Sequence, residues 1–202
     1  MEQQAAAFAV LIPAGGAASR LGGADKPMVE VGGLSLLDRV IEACLDFGPV
    51  PITVVGPERA TRRPVRWTRE TPPGGGPAAA IAAGLADCSH DWVGVFAADL
   101  PFLDANTVHS LWTTIAAADG PYDGALLVDP GGREQWLAAI YRRDALRARL
   151  AQLAPAQIDG LPLRRLVGDL RLLRVADPAR AALDCDTWED VAAARRIAEH
   201  KP

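Results

Sequence analysis

A glycine-rich stretch, 14–26, constrains the possible folds of this chain more than any other part of its sequence. It follows the short apolar run 8–12, and such a run bounded by Gly and Pro is typical of a buried strand. The stretch holds four glycines together with Arg20 and Lys26. Glycines let the backbone come close to an anion, and backbone N–H groups and the two cations attract it. The sequence therefore predicts an α/β protein with a phosphate site; the alternative is a solvated turn between a strand and a helix.

Two better-known phosphate-binding motifs do not match this stretch. A dinucleotide fingerprint needs G-x-G-x-x-G, but Gly15 and Gly16 are adjacent and no third glycine stands at the required offset. A Walker A loop needs Ser or Thr after its Lys, whereas Lys26 is followed by Pro27. The stretch therefore belongs to neither of these classes.

Length and charge limit the classes of protein that this chain can represent. The 202 residues suit one well-buried core and are few for two, so we predict a single domain over 1–202. No apolar run approaches the roughly 20 residues of a membrane span, and the start 1–4 lacks the positive charge of a secretory signal. We therefore expect a cytoplasmic protein without a membrane partner. The net charge of −4 argues against nucleic acid, so an anionic substrate must meet local positive charge, of which Arg20 and Lys26 are the obvious source.

The three cysteines give no sign of a metal or disulfide site. Cys44, Cys88 and Cys185 are widely separated and form no C-x-x-C pair, so we predict reduced thiols. The three histidines have no Ser or Cys motif beside them, and no hydrolytic triad is proposed.

Signals for strands and helices alternate along the chain. Ser35 is placed to cap a helix that extends to Leu45, and β-branched or apolar runs at 50–55 and 92–98 read as strands. This alternation predicts a mostly parallel sheet with helices on both faces and a ligand beyond the carboxyl ends of its strands. The runs 122–129 and 135–141 predict an antiparallel hairpin or a long turn at one side of the sheet.

Asp99 stands at the carboxyl end of the predicted strand 92–98. A magnesium ion on a nucleotide is usually held by one or two protein carboxylates together with phosphate oxygens, so Asp99 is the first ligand that we predict. The alternative role, capping the next helix, suits Asp104 better.

A second glycine-rich loop, 70–77, precedes a run of alanines. Pro77 is well placed at the first position of a helix, and the alanines would let that helix pack closely. The loop is therefore either a tight turn before a close-packed helix or the side of a nucleotide site that faces the first loop. The basic stretch before it, 59–69, is interpreted as solvated surface charge around a short strand at 65–67.

The pattern A-G-G-x-x-x-R-x-G-x-x-D-K over 14–26, with Pro27 after it, resembles the signature loop of nucleotidyltransferases that make molybdenum cofactor dinucleotides. The resemblance is to the molybdenum cofactor guanylyltransferase family, and more loosely to sugar-nucleotide pyrophosphorylases. That family has Asp-x-Pro-Phe or Asp-x-Pro-Tyr where 99–102 stands, and N-x-N-T-P-E or D-x-D-T-P-E where 184–189 stands. The resemblance implies the Rossmann-like nucleotide-diphospho-sugar transferase fold.

The resemblance also implies a function and a set of site residues. The reaction would move GMP from GTP to the phosphate of molybdopterin and release pyrophosphate, with Mg²⁺ as cofactor and transient contact with other proteins of molybdenum cofactor biosynthesis. The implied catalytic residues are Arg20, Lys26 and Asp99, and the implied metal ligands are Asp99 and Asp186. The implied nucleotide-binding residues are Pro13, Ala14, Gly15, Gly16, Gly22, Gly23, Lys26, Glu70 and Gly76.

Several alternatives stay open from the sequence. Asp184 and Asp186 stand where guanylyltransferases more often have Asn, which is closer to the cytidylyltransferases of the same pathway, and either of the two is a candidate to approach the metal. Asp186 is also placed to cap the last helix, with Glu189 three residues on. The acceptor could instead be a sugar phosphate, and a nucleotide-binding protein without turnover is the rival of a different class.

Two tryptophans and two arginines complete the candidates. Trp136 and Trp188 stand where the family commonly has Pro, and Trp136 is either a core residue or part of the acceptor pocket. Arg164 or Arg165 is expected to meet a phosphate on the second substrate.

Overall fold

The structure is a computed structural model, and it describes residues 7–15 and 22–199. Within these residues, seven strands form one mixed sheet and two short strands form a separate hairpin. The strands are β1 (Ala9–Pro13), β2 (Glu30–Val31), β3 (Leu34–Ser35), β4 (Ile52–Val55), β5 (Arg66–Thr68), β6 (Trp92–Phe96), β7 (Gly124–Val128), β8 (Glu134–Arg142) and β9 (Leu172–Ala176). The helices are α1 (Leu36–Phe47), α2 (Gly76–Leu85), α3 (Ala105–Ala117), α4 (Arg143–Leu150), α5 (Pro155–Ile158), α6 (Leu163–Val167) and α7 (Trp188–Glu199), and one 3₁₀ turn covers Lys26–Met28.

The large sheet has the strand order β5-β4-β1-β6-β8-β7-β9. The central strand β1 pairs in parallel with β4 and β6, β4 pairs in parallel with β5, and β7 pairs in parallel with β9. The strand β8 runs antiparallel to both of its neighbours, β6 and β7. The prediction of a mostly parallel α/β sheet is therefore confirmed.

The strand β8 occupies a different place from the predicted one. The predicted antiparallel pairing of β7 with β8 is present, but β8 lies inside the sheet rather than at its side. Its nine residues pair with β6 along one edge and with β7 along the other, and its buried part, Ala138–Tyr141, suits an interior position. Gly124 lets β7 approach, because a Cβ there would overlap the carbonyl oxygen of Ile140.

The side chains of β1 divide the core into two layers. Val10 and Ile12 belong to the buried cluster beneath α1 and α3, whereas Leu11 belongs to the cluster beneath α2, α4 and α6. Because successive side chains of a strand point to opposite faces, helices must cover both faces to bury both sets. The prediction of helices on both faces is confirmed. None of the described helices has the length and apolar character that crossing a membrane requires.

Two helices begin at the residues that the sequence predicts. The hydroxyl of Ser35 accepts a hydrogen bond from the backbone N–H of Asp38 at 3.0 Å at the start of α1. At the start of α3, the carboxylate of Asp104 accepts from the N–H of Thr107 at 2.9 Å. Each cap satisfies an N–H group that the first helical turn leaves without a partner.

The cap of α7 differs from the prediction. The hydroxyl of Thr187 accepts from the N–H of Asp190 at 3.2 Å, and the carboxylate of Asp190 accepts from the N–H of Thr187 at 2.8 Å. This is a reciprocal capping box, one residue later than the predicted pair of Asp186 and Glu189. Because Thr187 takes the capping role, the preceding Asp186 faces the cavity described next.

Candidate functional site

A cavity of about 990 Å³ lies over the carboxyl ends of β1 and β6. This volume is at the upper end of the range for small-molecule sites, and the position is where ligands bind in open parallel sheets. We call it the main cavity. Most of the predicted site residues that the structure describes line it: Pro13, Ala14, Gly15, Lys26, Glu70, Gly76, Asp99 and Asp186.

Two predicted site residues of the first glycine stretch that the structure describes are not part of this lining. Gly22 and Gly23 are exposed, with positive φ of 64° and 82°, and they do not line the main cavity. Arg20 and Gly16 lie outside the described residues, so their predicted roles stay predictions.

Two glycines allow the strand ends to approach each other at this site. A Cβ on Gly15 would lie 3.3 Å from the nearer carboxylate oxygen of Glu70. Gly56, which follows β4, has φ of 154°, and a Cβ there would lie 2.9 Å from the carbonyl carbon of Ala14. A larger residue at position 56 would therefore force the loops after β1 and β4 apart, and one at position 15 would press against the carboxylate of Glu70.

Lys26 joins carboxylates from two distant parts of the chain. Its ammonium forms an ion pair with Asp99, which follows β6, and another with Asp186 at 2.6 Å. The side chains of Lys26 and Asp99 are only 17% and 18% exposed, so these charges are shielded from much of the solvent. Burial acts to lower the pKa of Lys26, but the charges and hydrogen bonds of the two carboxylates outweigh it, and the pKa is raised. Lys26 is therefore firmly cationic.

The C-terminal segment reaches the site through alternation around Cys185. Asp184 and Asp186 both line the main cavity, while Cys185 between them is fully buried in a cluster with Val31 and Val191. Residues two apart in an extended segment share a face, as predicted for this pair. Removal of water around Asp184, followed by the nearby negative charges of the other carboxylates, raises the pKa of Asp184.

The predicted thiol states agree with the structure. Burial raises the pKa of Cys185 to about 12 and the pKa of Cys44 still further, so both remain protonated near neutral pH. Cys88 is half-buried, and all three thiols are free.

Glu70 is a buried carboxylate with one unsatisfied oxygen. Its Oε1 accepts a hydrogen bond from the N–H of Gly74 at 2.9 Å. Its Oε2 is buried without a partner among the described residues, and the side chain lines the main cavity. Because an unsatisfied buried oxygen carries a desolvation cost, this atom indicates a position where a ligand donor would bind.

The opposite wall of the main cavity comes from the start of β8 and the start of α6. Arg164 lines this wall, whereas Arg165, the other predicted candidate, does not. Trp136 also lines it and packs, partly buried, against the buried cluster beneath α2, and its part in an acceptor pocket stays a prediction. Trp188 is 49% exposed and lies outside the cavity lining.

The residues present fit a magnesium ion bound together with a nucleotide. Within 7–15 and 22–199, no group of three or more His, Cys, Asp or Glu side chains is arranged to hold a metal ion. Asp99 and Asp186 nevertheless offer hard oxygen donors around one ammonium, and Mg²⁺ usually needs only one or two protein carboxylates when phosphates supply other ligands.

The prediction that the basic stretch 59–69 is solvated surface charge is wrong for Arg59, whose side chain is only 12% exposed, whereas Arg62 is exposed as predicted although it too has a partner. The guanidinium of Arg59 binds Asp25, and that of Arg62 donates to the carbonyl of Gly33 at 2.9 Å. A run of arginines in sequence carries no signal that distinguishes these two from the others, since their partners are 34 and 29 residues away.

The sheet order, the glycine loop and the carboxylate over the same strand ends define an α/β protein of the Rossmann-like nucleotide-binding type. The chain belongs to the family of the MobA-like NTP transferase domain, whose model matches residues 10–175. The family and the fold that the sequence predicts are thus confirmed.

Two curated relatives are molybdenum cofactor guanylyltransferases. The molybdenum cofactor guanylyltransferase of Cupriavidus taiwanensis is 32% identical over 143 residues, which are 62% of this chain and 64% of that protein. The molybdenum cofactor guanylyltransferase of Vibrio cholerae is 28% identical over 151 residues, 71% of this chain and 70% of that protein. The matched region thus spans less than two thirds of the length of the first of these relatives.

Solved structures share the fold over nearly the whole chain. Molybdopterin-guanine dinucleotide biosynthesis protein A from Archaeoglobus fulgidus gives a TM-score of 0.69 at 19% identity, covering 96% of this chain and 100% of that one. The 2-C-methyl-D-erythritol 4-phosphate cytidylyltransferase from Thermus thermophilus gives 0.67 at 21% identity, with coverage of 96% and 100%.

Proposed function

We propose that this protein transfers GMP from GTP to the phosphate of molybdopterin and releases pyrophosphate. The observation that carries the proposal is the ion-paired group of Lys26, Asp99 and Asp186 beside a glycine loop, at the ends of β1 and β6. The family and the names of the curated relatives support the same reaction.

The proposed reaction makes few covalent demands on the protein. An oxygen of the acceptor phosphate attacks the α-phosphorus of GTP, the bond from that phosphorus to the bridging oxygen breaks, and pyrophosphate leaves with the electron pair. Such transfers depend on positioning and on stabilising charge. Lys26 and Arg20 would bind phosphate oxygens, and the glycine loop would let the backbone approach them. Mg²⁺, held by Asp99 and Asp186, would neutralise developing negative charge when bound.

The unsatisfied oxygen of Glu70 supports guanine as the base. Guanine presents two neighbouring donors, N1–H and the N2 amino group, which match the two oxygens of one carboxylate. Cytosine presents only its amino group as a donor on the equivalent edge. The acidic residues at positions 184 and 186 favour the second candidate, a cytidylyltransferase, so base choice needs its own test.

The variant Glu70→Gln tests the base. It keeps the shape of the side chain but replaces one acceptor by a donor, which would face the guanine donors. We expect the ratio of kcat/KM for GTP to that for CTP to fall by about 10- to 100-fold, the cost of one buried hydrogen bond to a charged group. An unchanged ratio would remove Glu70 as the base-selecting residue.

The reaction itself is tested by release of pyrophosphate with each of GTP, CTP, UTP and ATP, with and without molybdopterin. We expect release only when GTP and molybdopterin are both present, together with formation of the dinucleotide. Tight binding of GTP without product would instead favour a nucleotide-binding protein. We also propose that the protein acts in the cytoplasm, in transient contact with other proteins of molybdenum cofactor biosynthesis.

A further inference from the structure

The guanidinium of Arg59 makes five hydrogen bonds beside the main cavity. Its Nε and Nη2 bind the carboxylate of Asp25 at 2.7 to 2.9 Å. Its Nη1 donates to the carbonyl of Ala14 at 3.1 Å and to that of Pro57 at 3.0 Å. One guanidinium therefore contacts three separate acceptors.

Two of these acceptors are the ends of the glycine-rich stretch. Ala14 is its first residue, and Asp25 stands immediately before Lys26. Arg59 thus holds the residues that enter and leave the loop against each other, and a fixed Asp25 restricts the direction in which Lys26 starts. The backbone continues this restriction, because the carbonyl of Asp25 accepts from the N–H of Met28 at 2.8 Å in the 3₁₀ turn.

The residues that precede and follow Arg59 in the sequence are also held in place. We call residues 56–62, which follow β4, the β4 strap. At its start, Gly56 packs against the backbone of Ala14 so closely that a Cβ would clash. At its end, the N–H of Arg62 donates to the buried carboxylate of Asp38 at 2.9 Å. The β4 strap therefore connects α1 and β4 to the glycine-rich stretch.

An exposed ion pair of this kind would contribute little, because solvent and side-chain entropy offset the attraction. Arg59 does not fit that description. Its side chain is only 12% exposed, although that of Asp25 is 50% exposed. A planar guanidinium that binds a carboxylate in two places and two carbonyls besides fixes geometry in a way that a flexible ammonium does not.

We propose that Arg59 is a positioning residue, which holds Ala14 and Asp25 in place so that Lys26 meets the nucleotide phosphates. The proposal rests on the proposed function in so far as Lys26 acts on a nucleotide. It assigns a role to a residue that does not itself line the main cavity and that acts on Lys26 through Ala14 and Asp25.

The first experiment compares Arg59→Ala, Arg59→Lys and Asp25→Asn with Arg63→Ala as the matched control. Arg63 belongs to the same basic stretch, but it is 55% exposed and reaches only Glu42, at 3.6 Å. We expect the first three variants to lose about 100-fold in kcat/KM for GTP, as a misplacement of about 1 Å would cause. The control should stay within about twofold, as expected for an exposed pair of little energetic value. If Arg59→Ala matches the control, the proposal is overturned.

The second experiment separates positioning from a merely structural role. In a Lys26→Ala background, Arg59→Ala should cost less than about threefold, because the group that Arg59 positions is already gone. A further loss of about 100-fold in that background would show that Arg59 acts independently of Lys26 and would overturn the proposal. Thermal unfolding of each variant identifies any that do not fold. If Arg59→Ala does not fold, the comparison uses Asp25→Asn instead, because that variant changes only the partly exposed partner.

The two proposals fail in different ways. If the wild-type protein releases no pyrophosphate, the proposed function fails. The role of Arg59 is then tested by measuring the affinity of the same variants for GTP by calorimetry. Equal GTP affinity for the wild type and Arg59→Ala would then overturn the positioning role.

Discussion

Lys26 is the residue at which three parts of the chain meet. Asp99 is 73 positions further along the sequence and Asp186 is 160 positions further, yet both carboxylates lie against one ammonium. Without ligands, the ammonium neutralises one of the two negative charges at the strand ends. Under the proposed function, a triphosphate would compete with the carboxylates for Lys26, and this competition would couple binding of the metal to binding of the nucleotide.

The variant Lys26→Ala should lower turnover by about 100- to 1000-fold, the usual cost of removing one group that stabilises transition-state charge. Folding should be much less affected, because the ion pairs border a cavity rather than the core. Steady-state pyrophosphate release and thermal unfolding measure the two effects. The exposed cation Arg66, changed to Ala, serves as control, and near-normal turnover of Lys26→Ala would contradict the assignment.

The same variant should bind a divalent cation without nucleotide more tightly than the wild type does. Removal of the ammonium takes one positive charge away from beside Asp99 and Asp186. We therefore expect Mn²⁺ affinity to rise at least about tenfold, equivalent to about 1.4 kcal/mol of electrostatic free energy. Electron paramagnetic resonance of free Mn²⁺ measures this directly. Equal Mn²⁺ affinity for the two proteins would mean that Lys26 does not occupy the position of a metal.

At the scale of elements, the beginning of α7 decides which face Asp186 presents. The reciprocal cap of Thr187 and Asp190 fixes the first turn of the helix, and the residue before the cap lines the main cavity. A cap shifted by one residue, as the sequence suggests, would give that carboxylate a different role.

Two neighbouring variants test this cap. Asp190→Ala should lower the free energy of unfolding by about 1 kcal/mol, as lost caps do, and Tm by about 2–4 °C for a chain of this size. Glu189→Ala removes the same charge from the same helical turn, so its smaller effect serves as the reference. Differential scanning calorimetry measures both, and equal shifts would show that only the charge matters.

The turn between β7 and β8 gives a prediction for pH. Asp129 accepts hydrogen bonds from the N–H groups of Gly131 and Arg133 and from the side chain of Gln135, and the pKa of Asp129 is lowered, with the Arg133 N–H as the largest cause. A carboxylate with a lowered folded pKa stabilises the fold above its unfolded value of 3.8, and this contribution is lost as pH falls through the folded value.

The variant Asp129→Ala should therefore lower Tm slightly at pH 7, because solvent screens the contribution of an exposed carboxylate, and the difference from the wild type should diminish below pH 4. Thermal unfolding across pH 2.5–7 measures the difference, using the approximate linkage range of this carboxylate. A difference that does not change with pH would mean that the charge of Asp129 contributes nothing to the turn.

At the scale of the whole molecule, the site depends on how closely α2 lies on the sheet. The helix is rich in alanine, and a Cβ on Gly84 would lie 2.7 Å from Leu11 in β1 and 3.2 Å from Val55 in β4. Leu11 and Val55 are themselves fully buried and have little freedom to move. The sequence predicts this close packing from the alanine run alone.

The variant Gly84→Ala tests this contact. Alanine favours a helix by about 1 kcal/mol over glycine, whereas overpacking a core costs about 1–3 kcal/mol. We expect the steric cost to win and Tm to fall by about 2–6 °C. Chemical denaturation measures the free energy, with the half-buried Ala82→Ser as control. A stabilised Gly84→Ala protein would show that α2 can move away from β1.

Local signals account for what the sequence predicts correctly. The apolar runs, the caps at Ser35 and Asp104 and the glycine-rich stretch depend on neighbours within a few positions, so they are readable before folding is known. These signals were sufficient for the sheet with two helical layers and for the family. They were not sufficient for the interior position of β8, because β8 pairs with a strand some 40 residues earlier.

The sequence by itself determined that a glycine loop and a carboxylate lie at the ends of parallel strands, because strand direction and glycine geometry follow from local chemistry. Only the tertiary structure decided that Lys26 lies between Asp99 and Asp186, that Glu70 has one oxygen without a partner among the described residues, and that Arg59 joins Ala14 to Asp25. Each of these depends on contacts between residues far apart in the chain, and such contacts are set by the packing of whole elements rather than by any local pattern.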